Sequence, residues 1–404
     1  MKLLIAPIHY VIDKDEGSEY TRAFEFLEAI SKKRDFSGHA LSYYSSFKKM
    51  GNFKIISYSK VKPNYISNLL RIKFVFWILF TSLRLMKNET YDCIWHLGPF
   101  AVGETFSLLA ILNRKKIKFI LGPIYTPFPS IGKDDFGLLG KKILTKKTFL
   151  TKFKHKIERV VYVFLSKMFY YPSLFTLKMC SDVIVMEDAG KELLNSMGIK
   201  NVHVITLGIN SSKFIFDRKF ANKTKVELLT VGYLIPRKRM SDVIEAMNIL
   251  IHTKGINNIH LTIIGDGVEK VSLEKLVNLK KLNSFITFVG YVPRTGLKDY
   301  YKSADIFVSA SIVESAPGMY FEAMVAGMPL ILAANNSSQD LKKHDLGGYV
   351  IEQMNPNEIS EKISIFVKNM KLIKKFGRKN IKIVHDHYNF DKNINKLIAL
   401  FMGI

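Results

Sequence analysis

The length, composition and charge of this 404-residue chain limit its architecture and its partners. The length exceeds what one compact doubly wound sheet uses, so we expect two domains, and 48% hydrophobic residues supply two cores. The formal net charge of +25 predicts an anionic partner: nucleic acid, an acidic membrane surface or a phosphate-bearing substrate. No nucleic-acid-binding module is recognisable, so we predict no nucleic-acid partner. The two cysteines, Cys93 and Cys180, stand far apart in apolar contexts, which fits a reducing cytosol better than a disulfide framework; we predict both in the core.

The predicted N-terminal domain spans residues 1–210 and begins directly with a strand, Leu3–Ile8. The first residues lack a small-residue cleavage site after their apolar run, so we do not expect a signal peptide. A helix follows from Ser18, a capping residue, with apolar residues at helical spacing. Further predicted strands are Phe53–Ser57 (the second strand), Tyr91–Trp95, Ile117–Leu121, Asp182–Met186 and Val202–Thr206, with helices over 64–87 and Glu187–Met197.

The most apolar window of the chain is Phe74–Phe80, which lies between Lys73 and Arg84. It is much shorter than the roughly 20 residues that a membrane-spanning helix requires. Two interpretations stay open: a buried helix, which we favour, and a helix that enters a membrane interface.

A strongly basic segment extends from Lys141 to Lys178. It holds ten Lys or Arg residues and one acid, Glu158, interleaved with aromatic residues. This mixture is typical of a helix on an anionic membrane surface. The alternative is a solvated face of a basic protein.

The second predicted domain, residues 218–387, follows a polar linker at Asp217–Lys225. Strands and helices alternate regularly there, which predicts a parallel sheet with crossover helices. The strands are Glu227–Val231, His260–Ile264, Phe285–Val289, Asp305–Ser309 and Pro329–Leu332, and the helices are Asp242–His252, Ser272–Leu282 and Thr295–Ser303. A further helix of about eight residues is predicted between the last two strands.

The stretch between those last two strands carries the functional prediction. Glu314 lies on the loop after the first of them, and Glu322 lies inside the following helix, about one turn from its start. Pro317 and Gly318 at the helix entry leave backbone N–H groups free to point at one spot, which favours a bound anion. Two carboxylates beside a diphosphate suit a sugar nucleotide, because it carries hydroxyl groups at both ends and negative charge between them.

The residues from Glu314 to Pro329, with Pro317, Glu322 and Gly327 among them, resemble the donor-binding signature of retaining GT-B glycosyltransferases of glycosyltransferase family 4. The resemblance implies an α/β GT-B fold: two Rossmann-like doubly wound parallel-sheet domains facing a cleft, with the acceptor on the first and the donor on the second. It is dense over residues 227–351 and weak before residue 182. It also implies that a C-terminal helix, residues 388–404, packs back on the first domain.

The resemblance also implies roles for individual residues. Glu314 would act on the transferred sugar and Glu322 on the ribose hydroxyls, while Arg237 and Lys238 would contact the donor phosphates. Tyr233 stands where many family members have arginine, so the phosphate contacts must come from the cluster Arg237–Arg239. The other implied donor-binding residues are Gly232, Pro317, Gly318, Met319, Tyr291 and Val292, the last two near the nucleobase. On the acceptor side the resemblance implies Gly17, with His9 and His96 replacing a sugar-contacting histidine that many members have near Pro123.

The implied reaction moves a sugar from a nucleotide-sugar donor to a lipid-linked or saccharide acceptor, with retention and without a metal ion or other cofactor. Asp13 and Asp15 match the metal-binding pattern of the other large glycosyltransferase fold, but the rest of that fold's layout is missing. Three alternatives stay open, in falling order. They are a sugar-nucleotide epimerase of the same fold, a non-enzymatic membrane- or polyanion-binding scaffold, and a nicotinamide-dependent oxidoreductase, whose glycine fingerprint the first strand lacks.

The biological setting follows from the resemblance and from the basic segment Lys141–Lys178. We expect a cytoplasmic protein, peripheral at the inner face of the cell membrane, that binds an anionic membrane surface. Its pathway would be bacterial cell-surface polysaccharide biosynthesis, such as that of lipopolysaccharide.

Overall fold

The computed structural model describes residues 1–12, 18–63, 68–98, 106–115, 117–124, 171–206, 208–209 and 225–404. The chain divides into two compact units, Met1–Leu207 with Asn393–Ile404, and Gly208–Lys392. The predicted linker, apart from its last residue, lies outside the described residues. So do Asp13, Asp15, Gly17 and the basic segment up to residue 170.

The first unit is built on a sheet that has eight strands among the described residues, in the order β3-β4-β2-β1-β5-β6-β7-β8. The strands are β1 (Lys2–Ile12), β2 (Ser37–Ser45), β3 (Lys49–Met50), β4 (Phe53–Ser57), β5 (Cys93–His96), β6 (Lys118–Ile124), β7 (Asp182–Val185) and β8 (Val202–Val204). Only the β3–β4 ladder is antiparallel among those described. The helices are α1 (Ser18–Ser31), α2 (Asn68–Asn88) and α3 (Asp188–Ser196), with a 3₁₀ helix at Leu108–Lys115 and a helical stretch over 171–179.

Two predictions for this unit are wrong. Phe53–Ser57 is not the second strand, because β2 precedes it and pairs in parallel with both β1 and β4. Cys93 is buried in β5, as predicted, but Cys180 is only half-buried. The predicted strand β1 and helices α1 and α3 are confirmed within a few residues.

The second unit is built on a sheet of six parallel strands over residues 225–404, in the order β11-β10-β9-β12-β13-β14. The strands are β9 (Val226–Val231), β10 (Ile259–Ile264), β11 (Ile286–Gly290), β12 (Ile306–Ser309), β13 (Leu330–Ala333) and β14 (Gly348–Ile351). The helices are α4 (Met240–Asn248), α5 (Lys270–Leu279), α6 (Leu297–Ser303), α7 (Gly318–Val325), α8 (Asn336–Lys343), α9 (Pro356–Lys368), α10 (Lys371–His387) and α11 (Phe390–Met402), whose residues from Asn393 belong to the first unit. The predicted alternation of strands and helices is confirmed.

In both sheets the strand order reverses beside the first strand. In the second unit the chain runs outward from β9 through β10 to β11, then returns to place β12 on the other side of β9. In the first unit β5 returns beside β1 in the same way. The loops that leave two such strands diverge to opposite faces of the sheet and open a crevice at their carboxyl ends, which is where doubly wound sheets bind ligands. The fold therefore marks the loops after β9 and β12 as a site.

Helix α7, which carries Glu322, is held from behind by α10. A Cβ built on Gly377 of α10 would lie 2.0 Å from the carbonyl oxygen of Gly327, two residues after the end of α7. Nearby, Asn380 is fully buried and spans the strand ends: its Nδ2 donates to the carbonyls of Met328 and Gly347, and its Oδ1 accepts from the amide of Gly347, each at 2.8 Å. These contacts fix how closely α10 packs against the segment that follows α7.

We expect the substitution Gly377→Ala to destabilise the protein by about 2 kcal/mol, because the added methyl group overlaps a backbone oxygen. The sign of this stability change tests the packing, because alanine in place of glycine inside a helix otherwise stabilises a protein by about 1 kcal/mol. Urea unfolding measures the change, with the exposed Lys375→Ala on the same helix as the control. A Gly377→Ala protein that is as stable as the wild type would contradict this packing.

Candidate active site

The crevice between β9 and β12 holds a buried ion pair. Lys238 lies on a short 3₁₀ turn, Pro236–Lys238, that follows β9, and Glu314 lies on the loop that follows β12. The Nζ of Lys238 donates to Oε1 of Glu314, and both side chains are buried. Burial lowers the pKa of Lys238 below its ordinary value, and the Glu314 carboxylate opposes that shift. The pair thus places a cation and an anion with little access to water at the point where the topology predicts a ligand.

The turn that carries Lys238 is joined to the loop after β12 through its backbone. The carbonyl of Arg237 accepts from the amide of Ile312 at 3.1 Å and from the hydroxyl of Ser311 at 3.3 Å. The Arg237 guanidinium donates to the carbonyl of Val313 at 2.8 Å and lies 3.9 Å from Oε2 of Glu314. Arg237 is half-exposed, so its free edge faces solvent beside the buried pair.

The third cation of this cluster does not join the other two. Arg239 forms a two-pronged ion pair with Asp242 in the first turn of α4, with Nε and Nη2 at 2.9 and 2.8 Å from the two carboxylate oxygens. It has a left-handed backbone, with φ of +52°. Arg239 therefore fixes the start of α4, and the cations of the cluster that lie beside Glu314 are Arg237 and Lys238.

Glu322 is buried one turn into α7, and its carboxylate accepts hydrogen bonds from two side chains that lie far from it in sequence. Arg294 donates from Nε to Oε1 at 2.8 Å, and the hydroxyl of the fully buried Tyr301 donates to Oε2 at 2.9 Å. Burial and the Glu322 charge raise the pKa of Tyr301 well above its ordinary value, so its hydroxyl stays a donor. A carboxylate has about four acceptor positions, so two more hydrogen bonds can be accepted by Glu322 while these partners hold its orientation.

The N-terminus of α7 lies at the same crevice. Pro317 is its N-cap residue, and a Cβ on Gly318 would lie 3.7 Å from Oε1 of Glu322. The loop before it is fixed by the amide of Ala316, which donates to the hydroxyl of Ser337 at 2.8 Å. The first amides of a helix lack carbonyl partners within that helix, so those of Gly318 and Met319 are suited to an anion.

Of the other predicted donor-side residues, Gly232 lies closest to the ion pair. A Cβ built on it would lie 3.6 Å from Nζ of Lys238, an ordinary van der Waals contact, whereas its φ of +155° is a backbone conformation that favours glycine. Tyr291 and Val292 follow β11, and the Tyr291 side chain is exposed. The second unit therefore brings together Glu314, Lys238 and Arg237, with Gly232 beside them. Sequence reasoning missed Arg294, on the 3₁₀ turn before α6, and Tyr301, on α6, because only their contacts with Glu322 show their role.

Of the residues predicted for the acceptor side, His96 ends β5 and is almost fully buried. Neither ring nitrogen has a hydrogen-bond partner among the described residues. Its surroundings are an apolar pocket whose walls include Phe74, Ile78 and Leu109. Burial lowers the pKa of His96 to about 3, so the ring is neutral at pH 7. His9 lies on β1, where only its backbone is described, and Gly17 lies outside the described residues.

Two further observations concern membranes and metals. Among the described residues, no helix is both long enough and apolar enough to cross a membrane. Within the same part of the chain, no three His, Cys, Asp or Glu side chains are grouped closely enough to hold a metal ion.

Residues 211–383 match the family model described as "Glycosyl transferases group 1". An uncharacterized glycosyltransferase of Haemophilus influenzae is 26% identical over 221 residues, and the alignment covers 54% of this chain and 60% of that protein. The chain thus spans about three fifths of the length of that relative. An alpha-monoglucosyldiacylglycerol synthase of Streptococcus pneumoniae is 25% identical over 357 residues, covering 78% of this chain and 71% of the synthase.

Solved structures resemble the chain over nearly its whole length. The sucrose-phosphate synthase of Thermosynechococcus elongatus superposes with a TM-score of 0.72 at 15% identity, covering 98% of each chain. The Anabaena protein HepE, in complex with UDP, superposes with a TM-score of 0.69 at 11% identity over all of both chains. These similarities show the fold: it is GT-B, with two parallel-sheet α/β domains, and the sequence prediction is confirmed.

The burial of the His96 ring predicts how the stability of the folded protein depends on pH. In the unfolded chain the imidazole has its ordinary pKa of 6.5, whereas in the folded protein the pKa is about 3. Between these values the unfolded state binds a proton that the native state does not, so wild-type stability falls as the pH drops below 6.5, by up to about 1.4 kcal/mol per pH unit. The substitution His96→Leu abolishes this loss of stability at low pH. It also removes two buried ring nitrogens that have no hydrogen-bond partner among the described residues.

We therefore expect His96→Leu to be at least as stable as the wild type at pH 7. At pH 5 its advantage should be larger by about 2 kcal/mol. Urea unfolding at both pH values tests this, because the titrations of all other groups cancel in the comparison. An equal difference at pH 7 and pH 5 would show that the ring is not held neutral.

Proposed function

We propose that this protein is a retaining glycosyltransferase of glycosyltransferase family 4 that moves a sugar from a nucleoside-diphosphate donor to a lipid-linked or saccharide acceptor. The observation that carries the proposal is the buried Lys238–Glu314 pair between β9 and β12, inside the residues that match the glycosyl transferases group 1 model. Cations, a helix N-terminus and a second buried carboxylate, Glu322, surround the same crevice.

The donor diphosphate would bind Lys238, Arg237 and the first amides of α7. Because Lys238 is buried, water screens its charge poorly, and the charge would act strongly on a nearby phosphate. Glu322 would accept the ribose hydroxyls through its remaining lone pairs, while Arg294 and Tyr301 hold the carboxylate in place. Tyr291 and Val292, at the end of β11, would contact the base.

In the chemical step the bond between the anomeric carbon and the β-phosphate oxygen breaks, and the acceptor oxygen bonds to the same face of that carbon. The acceptor proton passes to the departing phosphate oxygen, so the product nucleoside diphosphate carries it away. Negative charge grows on the diphosphate as the bond breaks, and preorganised donors stabilise that charge most effectively. Glu314 would stabilise the sugar ring as positive charge develops there.

We infer that this reaction needs no metal ion, because Arg237, Lys238 and the α7 amides supply the positive charge that a bound cation supplies elsewhere. This inference is independent of the sugar transferred, since it concerns only the diphosphate.

The proposed setting is the cytoplasmic face of the bacterial membrane, where the acceptor would be lipid-linked and the product a surface polysaccharide or glycolipid. Support comes from the similarity to a glycolipid synthase over 78% of the chain and from the ten cations of segment Lys141–Lys178. Both features concern the acceptor, since a nucleotide sugar is soluble and needs no membrane.

The function is tested by screening UDP-, GDP- and ADP-sugars for thermal stabilisation and then measuring release of the nucleoside diphosphate. Saturating donor at about 100 times its dissociation constant should add about 2.7 kcal/mol of stability. We expect release to depend on a lipid-linked or saccharide acceptor and to continue in EDTA.

Three outcomes oppose the proposal. Conversion of the donor without any acceptor would favour an epimerase. Loss of release in EDTA with recovery on adding Mg²⁺ or Mn²⁺ would contradict metal independence. No stabilisation by any sugar nucleotide would leave a non-enzymatic scaffold as the better interpretation.

The two carboxylates should respond differently to removal of their charge. Glu322→Gln should weaken donor binding by about 1.5 to 3 kcal/mol, because charged hydrogen bonds to the ribose are lost. Glu314→Gln should mainly lower kcat, because the sugar ring that Glu314 would stabilise develops positive charge only as it leaves the diphosphate. It should also lower the melting temperature, since Lys238 is left buried without its counter-charge.

Donor titration by calorimetry and steady-state kinetics separate these effects, at a temperature where both variants are folded. Glu361→Gln, an exposed carboxylate on α9, is the matched control and should leave both quantities unchanged. Wild-type kinetics in both site variants would refute the assignment.

A further inference from the structure

Helix α2 of the first unit is apolar on two opposite sides. One side, with Phe74 and Ile78, is buried against the sheet. The other side carries Ile72, Phe76 and Phe80, which are exposed to solvent, Phe76 by 49% and Phe80 by 65%. Aromatic side chains of that size on an open surface are uncommon in a monomeric protein and mark a binding surface when they are contiguous.

The exposed apolar side chains form one continuous stripe, which we call the α2 stripe: Ile72, Phe76, Phe80 and Leu83. Their spacings of four, four and three residues place them within an arc of about 80° on the helix surface. The stripe runs along the helix axis for about 16 Å, at 1.5 Å per residue. A surface that contacts all four must therefore lie parallel to the helix.

The charges around the α2 stripe have one sign. Lys73 and Arg84 are exposed beside it, and Lys87 is exposed at its C-terminal end. Helix α2 contains no aspartate or glutamate anywhere along its 21 residues. An apolar stripe bordered by cations matches the interface of an anionic bilayer, where acyl chains receive the apolar side chains and lipid phosphates the cations.

We propose that the α2 stripe docks this protein on an anionic lipid bilayer, with the helix lying in the plane of the interface. A second copy of the chain is a poorer occupant, because pairing two such stripes would bring their bordering cations together. The buried side of α2 stays packed in the unit, so docking needs no change of fold.

The α2 stripe does not overlap the basic segment Lys141–Lys178 in sequence. It extends the proposed membrane setting but does not depend on glycosyl transfer. Donor stabilisation and nucleotide release therefore test the enzyme, and vesicle binding tests the surface, so either can fail alone.

The test uses the full chain and vesicles of phosphatidylcholine alone or mixed equally with phosphatidylglycerol. The variant F76S/F80S removes the two most exposed aromatic side chains of the stripe. Its control, V268S/L279S, removes two side chains that are 85% and 78% exposed on the second unit. We expect the wild type and the control to bind the anionic vesicles, and F76S/F80S to bind them at least about tenfold more weakly.

The two tryptophans add a positional readout. Trp77 lies on α2, half-buried beside Phe74, whereas Trp95 is fully buried in β5. A lipid-attached quencher should therefore quench part of the fluorescence of the wild-type protein on anionic vesicles, and quench it less in F76S/F80S.

Three results would overturn the proposal. One is equal binding of F76S/F80S and the wild type, which would assign any membrane contact to another surface. The second is a mass that doubles with protein concentration in the wild type but not in F76S/F80S, which would make the stripe a dimer interface. The third is a marked fall in the melting temperature of F76S/F80S, which would mean that the stripe is covered within the folded chain.

Discussion

The second unit depends on one interaction, the buried pair between Lys238 and Glu314. Two opposite charges removed from water are costly unless each neutralises the other, so the loops that carry them must meet with little freedom. The structure meets this constraint in the backbone, because the carbonyl of Arg237 is bonded to the loop after β12 at Ser311 and Ile312. The pair is possible only because the strand order places β9 beside β12. Topology and electrostatics thus select the same crevice.

The second carboxylate, Glu322, is held by hydrogen bonds from side chains. Glu322 is fixed from α6 by Tyr301 and from the preceding 3₁₀ turn by Arg294, and α7 is anchored below by Tyr320, whose hydroxyl bonds to Ser309 at 3.1 Å. Behind α7, the contact between Gly377 and Gly327 sets how closely α10 approaches. The carboxylate is therefore oriented before any ligand arrives, and a ligand need not supply the energy of ordering it.

The sequence predicted the second unit well because its signals are local. Strand and helix periodicity, the Pro317–Gly318 helix entry and the spacing from Glu314 to Glu322 all lie within short windows, and the structure confirms the elements they predict. Strand β2 was missed because Gly38–Tyr43 is buried on both faces yet includes polar residues, with His39 bonded to the Tyr91 hydroxyl at 2.8 Å. Hydrophobic alternation cannot identify such a strand.

The site residues that sequence reasoning missed are those whose partners lie far along the chain. Arg294 meets Glu322 across 28 residues, and nothing in its own neighbourhood distinguishes it from a solvated arginine. Arg239 was grouped with Arg237 and Lys238, although Asp242, three residues on, offers it a nearer carboxylate. Cations that are adjacent in sequence form a binding site only where the backbone directs their side chains toward the same point. Here Arg239 itself has a left-handed backbone, and its side chain pairs with Asp242 instead.

The two units share a topology but present different chemistry at the corresponding point. Where β12 returns beside β9, the second unit places buried charge, whereas where β5 returns beside β1, the first unit places a neutral histidine in an apolar pocket. Under the proposed function, a charged donor on the second unit and a less polar acceptor on the first would make these opposite demands on a protein surface. The first unit also carries the α2 stripe, its apolar side chains facing solvent on the far side of the helix that lines this pocket. Apolar character on both sides of α2 is costly for a protein that meets only water, and it is explained when one side faces lipid.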